Sequence, residues 1–374
     1  MVALAIAAIA APSAAGAKPQ QIVRVMTRNL YLGADLTPGL DATSLPALND
    51  AVGGIFNQVK ENDFPVRAKG LAQEILKTRP DLVGLQEAAL WRTEPTCKYI
   101  LPPGPYTATH VVYDYLKLLL RQLNRGKARY TVVATEPEFD FETEANTDGS
   151  PDHSCDEDVR LTMRDAILAR VNDGITWRNA HAGHFKTLLE PKLVGLVPVA
   201  VTRGWISVDV KVRGSRWFRF VDTHLESYDD QASNPTSQGT EVGNGEIREA
   251  QARELIQKGG PASGRFPVIL VGDLNSDVKT PLKPGDQLAD QALLNAGFRE
   301  RSTYTPLSCC LNTPVLSVPG GGGKVSDFNH KVDHVMTSDP KQIKQVGSTV
   351  TGRHPVNGFW DSDHAGTFSV LTLP

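Results

Sequence analysis

Two stretches of this chain share one design, and that design restricts the fold more than any other feature. Ala68, Leu71, Ala72, Ile75 and Leu76 recur at helical spacing, a proline at position 80 follows, and then a short apolar run (Leu82, Val83, Leu85) hands over to Gln86 and Glu87. Farther on, Glu246 to Lys258 reads as a helix closed by Gly259-Gly260, and Val268-Ile-Leu-Val-Gly leads directly to Asp273-Leu274-Asn275-Ser276. Helix, buried strand, then polar side chains at the strand exit is the signature of a layered α/β protein whose chemistry sits at a sheet rim. Residues spaced i, i+2 on a strand point the same way, so Asp273 and Asn275 can meet one ligand such as a metal ion or a phosphate. Alone, the same stretch is equally a strand ending in an Asx-type turn.

Length and charge narrow the class. A chain of 374 residues can be absorbed by one large α/β domain with long loops. Its net charge of -3 is well mixed along the sequence, which argues against tight nonspecific binding to a polyanion, though not against holding one phosphodiester locally. Residues Met1 to Ala17 are apolar and alanine-rich and end in Ala15-Gly16-Ala17, a small-x-small cleavage pattern. They predict a secretory leader without the usual basic start, and an exported protein spanning 18–374 as a single domain. No later run approaches the ~20 apolar residues of a membrane span, so stable membrane insertion is not expected.

Four cysteines suit an oxidising compartment. Cys97 and Cys155 fall in polar loops and are predicted to pair. Cys309 and Cys310 are adjacent, and could form a vicinal disulfide, stay reduced, or pair each with a loop cysteine. No Cys-x-x-Cys or neighbouring histidine favours a metal site there.

Along the chain, Gln21 to Arg28 alternates as a first strand and delivers Asn29. Thr37 to Asn62 reads as an insertion with a short helix, and Asp63 with Pro65 as the cap of the next one. Val111 to Leu123 has a helical stripe, Tyr130 to Thr135 a strand, and the acidic Glu136 to Val159 a long exposed loop. Arg164-Asp165 opens the apolar run Ala166 to Val171. Trp205 to Val212 and Phe218 to Thr223 pair across a turn at Gly214, with His224 at the end. Ser227 to Gly245 is a loop, Asp286 to Ala296 a short helix, and Ser302 to Asn329 loop-like with four glycines at 320–323. Lys331 to Met336 is a strand containing Asp333, and Ser362-Asp363-His364 precedes the last strand, Thr367 to Leu373.

The strand-end polar residues are therefore Asn29, Glu87, His224, Asp273, Asn275, Asp333, Asp363 and His364. Each has a bland reading as turn former or surface group. Together they do not, because edges selected for solubility favour lysine and mixed charge, not two histidines, two amides and four acids.

In order, Arg28-Asn29-Leu30, Leu85-Gln86-Glu87, Asp222-Thr223-His224-Leu225, Gly272-Asp273-Leu274-Asn275, Val332-Asp333-His334 and Ser362-Asp363-His364 resemble the motifs of the endonuclease/exonuclease/phosphatase superfamily. That group includes pancreatic-type deoxyribonucleases, abasic-site endonucleases, neutral sphingomyelinases and inositol-polyphosphate phosphatases. The resemblance implies a four-layer α/β/β/α sandwich of two packed mixed sheets flanked by helices. It also implies a monomeric Mg²⁺-dependent phosphoesterase, with Mn²⁺ or Ca²⁺ as substitutes. By position, Glu87 looks like the principal metal ligand, with Asn29 and Asp363 nearby. Asp273 and Asn275 would orient water and bind the scissile phosphate. His364 would be the general base or phosphate-binding histidine, held by Asp333, and His224 the second histidine at the phosphate. Arg164 resembles a phosphate-contacting arginine of the deoxyribonucleases. The acid that would orient His224 is left open among Glu136, Glu138 and Asp140, and His334 stands where the family commonly has an aromatic.

For substrate, extracellular nucleic acid comes first, with Arg160, Arg164, Arg170, Arg203 and Arg213 as a local basic stripe. The alternative is a phospholipid head group, as in a sphingomyelinase-like phospholipase C with Trp205, Trp217 and Phe218 as an apolar wedge. A third reading is an inactive binding module on the same fold.

Overall fold

The computed structural model describes residues 21–373 apart from 99–104, 172, 196, 229–244, 312–322, 340 and 357–358. The leader segment, most of the Ser227 to Gly245 stretch and most of the glycine run lie outside the described residues.

Two β-sheets carry the site. The first runs in the order Gln345–Thr351, Gly366–Leu373, Gln21–Asn29, Leu82–Gln86, Glu157–Arg170, Leu90–Glu94, His110–Asp114, and Tyr130–Ala145 also pairs along Glu157–Arg170. The second is ordered Arg299–Glu300, Asp333–Thr337, Val268–Asp273, Phe218–His224, Gly204–Val212, Ile175–His184. Both are mixed, since Gln21–Asn29 and Leu82–Gln86 run parallel, as do Phe218–His224 and Val268–Asp273, while the other neighbours are antiparallel.

The apolar residues sort into layers as strand and helix periodicity require. Val23, Val25, Leu82 and Ile167 of the first sheet meet Ile206, Phe220, Ile269 and Val271 of the second in a core between the sheets. The helices Leu45–Glu61, Phe64–Thr78 and Tyr115–Leu123 cover the outer face of the first sheet through Phe56, Leu71, Ile75 and Leu119. Glu246–Ile256 and Leu288–Asn295 cover the second through Ala252, Leu255, Ala289 and Leu293. This is the expected four-layer sandwich. Among the described residues no helix is long and apolar enough to cross a membrane.

Four local expectations are corrected. The insertion at 37–62 holds a 17-residue helix, Leu45–Glu61, started by Ser44 and Pro46. Gly53 does not break it, because a side chain there would collide with the Asn146 carbonyl at 1.8 Å; close packing selects the glycine. Asp63 occupies the cap position of the next helix in a left-handed conformation without a side-chain cap bond. Val111 and Val112 belong to an edge strand, His110–Asp114, rather than to the helix that starts at Tyr115, because their backbone pairs with Leu90–Glu94.

The acidic segment 136–159 is not a loop but the distal half of a long hairpin. Its acids alternate with Phe139 and Phe141, a strand period, and its charges meet counterions: Asp140 binds Arg160 and Arg92, and Glu138 faces Arg203. Paired acids are buried where unpaired ones would force a loop. Cys97 and Cys155 are bridged near its turn, with Cα atoms 6.1 Å apart, and Cys309 is bridged to Cys310.

Candidate active site

Strand register assembles one row of polar side chains. His224 lies opposite Asp273 in the parallel pair, and Asp273 opposite Asp333 in the antiparallel one, so three motif residues end side by side on the second sheet. On the first sheet Asn29 is opposite Gln86, which places Glu87 just beyond it. The rims meet where Asn29 Nδ2 donates to Asp273 Oδ2 at 3.1 Å and Gln86 Nε2 donates to Asp222 Oδ1 at 2.6 Å. Gly272 permits the approach on one side: its φ is +154° and a side chain there would sit 2.1 Å from the Thr223 carbonyl oxygen.

Backbone conformation marks the rim as well. Glu87 and Asn275 both adopt left-handed conformations, with φ of 56° and 47°. Such residues are strained unless their surroundings hold them, and they cluster at functional sites. Here the surroundings are specific. Glu87 accepts from Asn29 Nδ2 at 3.0 Å and from the Leu32 amide at 2.6 Å. Asn275 donates its amide N–H to Asp273 Oδ1 at 3.0 Å and one side-chain N–H to the Leu225 carbonyl at 2.9 Å, which leaves a second N–H of Nδ2.

His364 Nδ1 lies 3.0 Å from Asp333 Oδ2, which also accepts from the Ser308 hydroxyl at 2.8 Å. Its Nε2 is 3.6 Å from Asp273 Oδ2 and 4.0 Å from Asp363 Oδ1. The bridged sulfurs of Cys309 and Cys310 flank the same nitrogen at 3.7 and 3.8 Å. Burial works against charge on this imidazole, but the carboxylates of Asp333, Asp273 and Asp363 outweigh it and hold its pKa well above the ordinary histidine value. Asp333 is correspondingly lowered: burial opposes its charge and the His364 cation overcomes that. Asp273 is pushed up to about 6, by burial first and then by Asp333. Asp363 also rises to about 6, through burial and the nearby Glu87 charge.

His224 lives differently. It is 1 % exposed, its Nε2 is 3.7 Å from Asp273 Oδ2, and its Nδ1 lies 3.1 Å from a guanidinium nitrogen of Arg203. Burial, Arg203 and His364 together hold its pKa well below the ordinary value. The residue at Nδ1 is thus a cation and not one of the three acids considered from sequence. Glu138 is part of the answer one step removed, since it pairs with Arg203 at 3.6 Å; Glu136 instead binds His184, and Asp140 binds Arg160.

All eight strand-end residues therefore converge, and the roles of Asn29 among them and of Arg164 outside them change. Asn29 turns its side-chain oxygen to the Tyr31 amide at 2.8 Å and its nitrogen to Glu87 and Asp273, so it orients carboxylates rather than presenting a ligand oxygen. Arg164 spends its guanidinium on the Ala88 carbonyl at 2.9 Å, the Ala89 carbonyl at 3.4 Å and Asp114 at 2.7 Å, which buttresses the turn after Glu87. Sequence reading missed Arg67, whose guanidinium holds the carbonyls of Leu30, Tyr31 and Asp361 and so ties the Asn29 loop to the Asp363 loop. A signal existed: an arginine one residue from Ala68 and four from Leu71 on a buried helix face needs a polar reason to be there. His334 is settled by Glu300, 2.5 Å from its Nδ1, and by the Ser276 carbonyl, 2.8 Å from its Nε2.

Comparison with known proteins identifies the family and the fold. The Endonuclease/Exonuclease/phosphatase family matches residues 52–364. The chain belongs to that family. Members hydrolyse phosphoester bonds and generally require a divalent metal. Similar solved structures include endonuclease/exonuclease/phosphatase family proteins from Bacteroides thetaiotaomicron (15% identity, 95% of this chain and 99% of that one, TM-score 0.55) and Bacteroides vulgatus (15%, 95% and 100%, TM-score 0.52). A mannosyl-6-phosphatase from Bacteroides thetaiotaomicron aligns with 15% identity over 93% of this chain and 99% of that one, at a TM-score of 0.50. At these identities the likeness is one of fold. Among curated proteins none matches.

Proposed function

We propose that this family member is a divalent-metal-dependent phosphodiester hydrolase with nucleic acid as its first substrate class. The observation that carries the reading is the His364–Asp333 pair at 3.0 Å facing Asp273, with Asp363 4.0 Å from the same imidazole and Glu87 near enough to Asp363 to raise its pKa. A pure binding module has no use for an oriented histidine beside two carboxylates that keep accepting capacity.

The donor set suits a hard cation. Glu87 and Asp363 are half-buried carboxylates at the mouth, each with accepting capacity left over, and the two cysteine sulfurs beside His364 are bridged to each other. Mg²⁺ is the ion we assign, held by Glu87 and Asp363, and when bound it supplies charge neutralisation at the phosphoryl oxygens. The chain's own residues do the rest. Asp273, with a pKa raised to about 6 and fixed by Asn29 and the Asn275 amide, orients and deprotonates the attacking water. His364, kept cationic by Asp333, donates to a phosphoryl oxygen, so of the two roles open to it phosphate binding is preferred. His224 Nε2 and the remaining N–H of Asn275 donate to the same group.

Two observations bear on the substrate. Arg160, Arg164, Arg170, Arg203 and Arg213 are all ion-paired with acids, which leaves no basic stripe among them for a long polyanion. That favours, as a second reading, a small phosphate ester, in keeping with the sugar phosphatase among the similar folds. The lipid reading loses its wedge: Phe218 is fully buried, Trp205 packs into the second-sheet core, and Trp217 stacks under Arg178 at 4.0 Å. Export is proposed on the leader pattern of Met1 to Ala17 and on the bridged cysteines.

The test is hydrolysis of plasmid DNA, RNA, sphingomyelin, bis-p-nitrophenyl phosphate and sugar monophosphates by the purified protein with Mg²⁺, against EDTA and Glu87→Ala controls. Cleavage of DNA or RNA supports the first reading. Cleavage of monoesters alone transfers the assignment to the second, and no turnover with any divalent metal sinks both.

A further inference from the structure

We propose that Arg203 is the positioning residue of this site: by donating to Nδ1 of His224 it fixes that imidazole as a neutral group with its proton on Nε2, a dedicated hydrogen-bond donor rather than an acid or base. The proposal rests on the phosphoester-hydrolase reading for what His224 Nε2–H touches, but not for the tautomer itself.

The geometry leaves one protonation pattern. A guanidinium has five N–H donors and no acceptor, so the ring nitrogen 3.1 Å away must accept. A neutral imidazole that accepts at Nδ1 carries its proton on Nε2, and an imidazolium would set N–H against N–H. Nε2 is the nitrogen that faces the centre, 3.7 Å from Asp273 Oδ2. His364 is arranged in the opposite sense, with Nδ1 toward the Asp333 carboxylate.

Arg203 is built to stay in place. It is 4 % exposed and lies between two buried acids, Glu138 at 3.6 Å and Glu226 at 3.5 Å. Each acid is itself held by backbone: Glu138 accepts from the Gly204 amide at 2.9 Å, and Glu226 from the amides of Ser227 at 2.9 Å and Tyr228 at 3.1 Å. A further nitrogen of the guanidinium donates to the Ser227 hydroxyl at 3.3 Å. The charged and titratable groups facing His224 are thus Arg203, Asp273 and His364, with Glu138 and Asp165, whose oxygens lie within 4.8 Å of its ring nitrogen. Burial pushes the Glu138 carboxyl up to about 8 and Asp165 well above its ordinary value, and the Arg203 guanidinium opposes both rises. Holding the donor neutral has a chemical use. It adds a hydrogen bond to the phosphoryl group at every pH where Asp273 is ionised, without competing for the proton that Asp273 takes.

The experiment is histidine side-chain ¹H–¹⁵N NMR on the full-length protein, with His224 assigned by loss of its signals in His224→Gln. Unmodified protein should show His224 as the neutral Nε2–H tautomer throughout about pH 5.5 to 8, the range in which an ordinary histidine titrates. Arg203→Met should let His224 titrate or mix tautomers, and should lower kcat on bis-p-nitrophenyl phosphate roughly 10- to 100-fold with a smaller change in KM, while Arg203→Lys restores most of both. An Nδ1–H tautomer or a cationic His224 in unmodified protein overturns the proposal, as does a folded Arg203→Met protein with an unchanged His224 spectrum. If Arg203→Met does not fold, the unmodified spectrum decides alone. Absence of turnover on every ester would count against the hydrolase reading and leave the tautomer result standing.

Discussion

The two rim histidines sit at the ends of different sheets, converge on one carboxylate, and are pushed in opposite directions by what surrounds them. His224 and His364 place Nε2 3.7 and 3.6 Å from the same oxygen of Asp273. Both are almost fully buried, so desolvation penalises the charge of each. Yet three carboxylates around His364 keep it protonated, whereas Arg203 and the His364 cation keep His224 neutral. Residue type alone does not tell them apart. The comparison teaches that a histidine's role here is assigned by its second nitrogen: an acid behind Nδ1 makes a charged donor, and a guanidinium behind Nδ1 makes a neutral one.

The sharpest way to break that contrast is to remove the carboxylate behind His364. Asp333→Asn or His364→Ala should lower kcat on a phosphodiester by about 10³- to 10⁴-fold, because charge at the phosphate and its orientation are lost together. If either variant retains activity within ~10-fold, as read from initial rates, the cationic role is wrong.

A third histidine separates charge from chemistry. His334 is next to Asp333 in sequence but is held between Glu300 and the Ser276 carbonyl, away from the rim. Burial and Lys331 oppose its charge, and Glu300 and Asp290 prevail and raise its pKa. His334→Phe, which places there the aromatic common in the family, takes from Glu300 Oε2 its 2.5 Å partner and leaves Lys331 at 3.6 Å as the remaining cation, and should destabilise by about 3 kcal/mol in urea unfolding. The sign with pH follows from linkage. A raised folded-state histidine pKa stabilises fully below the unfolded value of ~6.5 and less as pH climbs through the folded one. Glu300, lowered to about 2 because Lys331 and His334 overcome its burial, stabilises above ~4.5 and less as pH falls toward 2. The difference between native protein and variant should therefore peak between about pH 4.5 and 6.5. A difference that grows above that window would refute the assignment.

Removing the neutral member of the pair should cost less than removing the charged one. For His224→Ala the expected loss is ~10²- to 10³-fold in kcat, the usual price of one preorganised donor at a developing oxyanion. A loss equal to that of His364→Ala, with the same change in pH profile, would mean that the two histidines share one role. The smallest effect belongs to Arg164. Because its guanidinium is spent on Ala88, Ala89 and Asp114, Arg164→Ala should change KM by less than ~10-fold; a large rise in KM would return it to the phosphate.

Much of this site was legible in the sequence for one reason. Strands of a mixed sheet end where an apolar run ends, so Glu87, Asp273 and His224 could be placed at a rim from hydrophobic pattern alone, and six ordered motifs then pointed to the family. What pattern reading misjudged was charge in the interior. The acids of 136–159 read as loop because their counterions are brought to them by strand pairing and packing: Arg160 lies across the hairpin from Asp140, and Arg92 and Arg203 come from other strands or loops. Arg203 itself was visible only as one of several arginines, and Arg67 was passed over on its helix stripe.

By itself the sequence determined the layers, the order of the strands' chemistry and the family, because burial periodicity and strand-end polarity are local properties of the chain. Tertiary structure alone decided which groups meet. The Arg203 contact to His224 spans 21 residues, Asn29 to Asp273 spans 244 and Arg28 to His364 spans 336. Protonation states depend on such contacts through desolvation and charges a few ångströms away, quantities that a linear sequence does not contain.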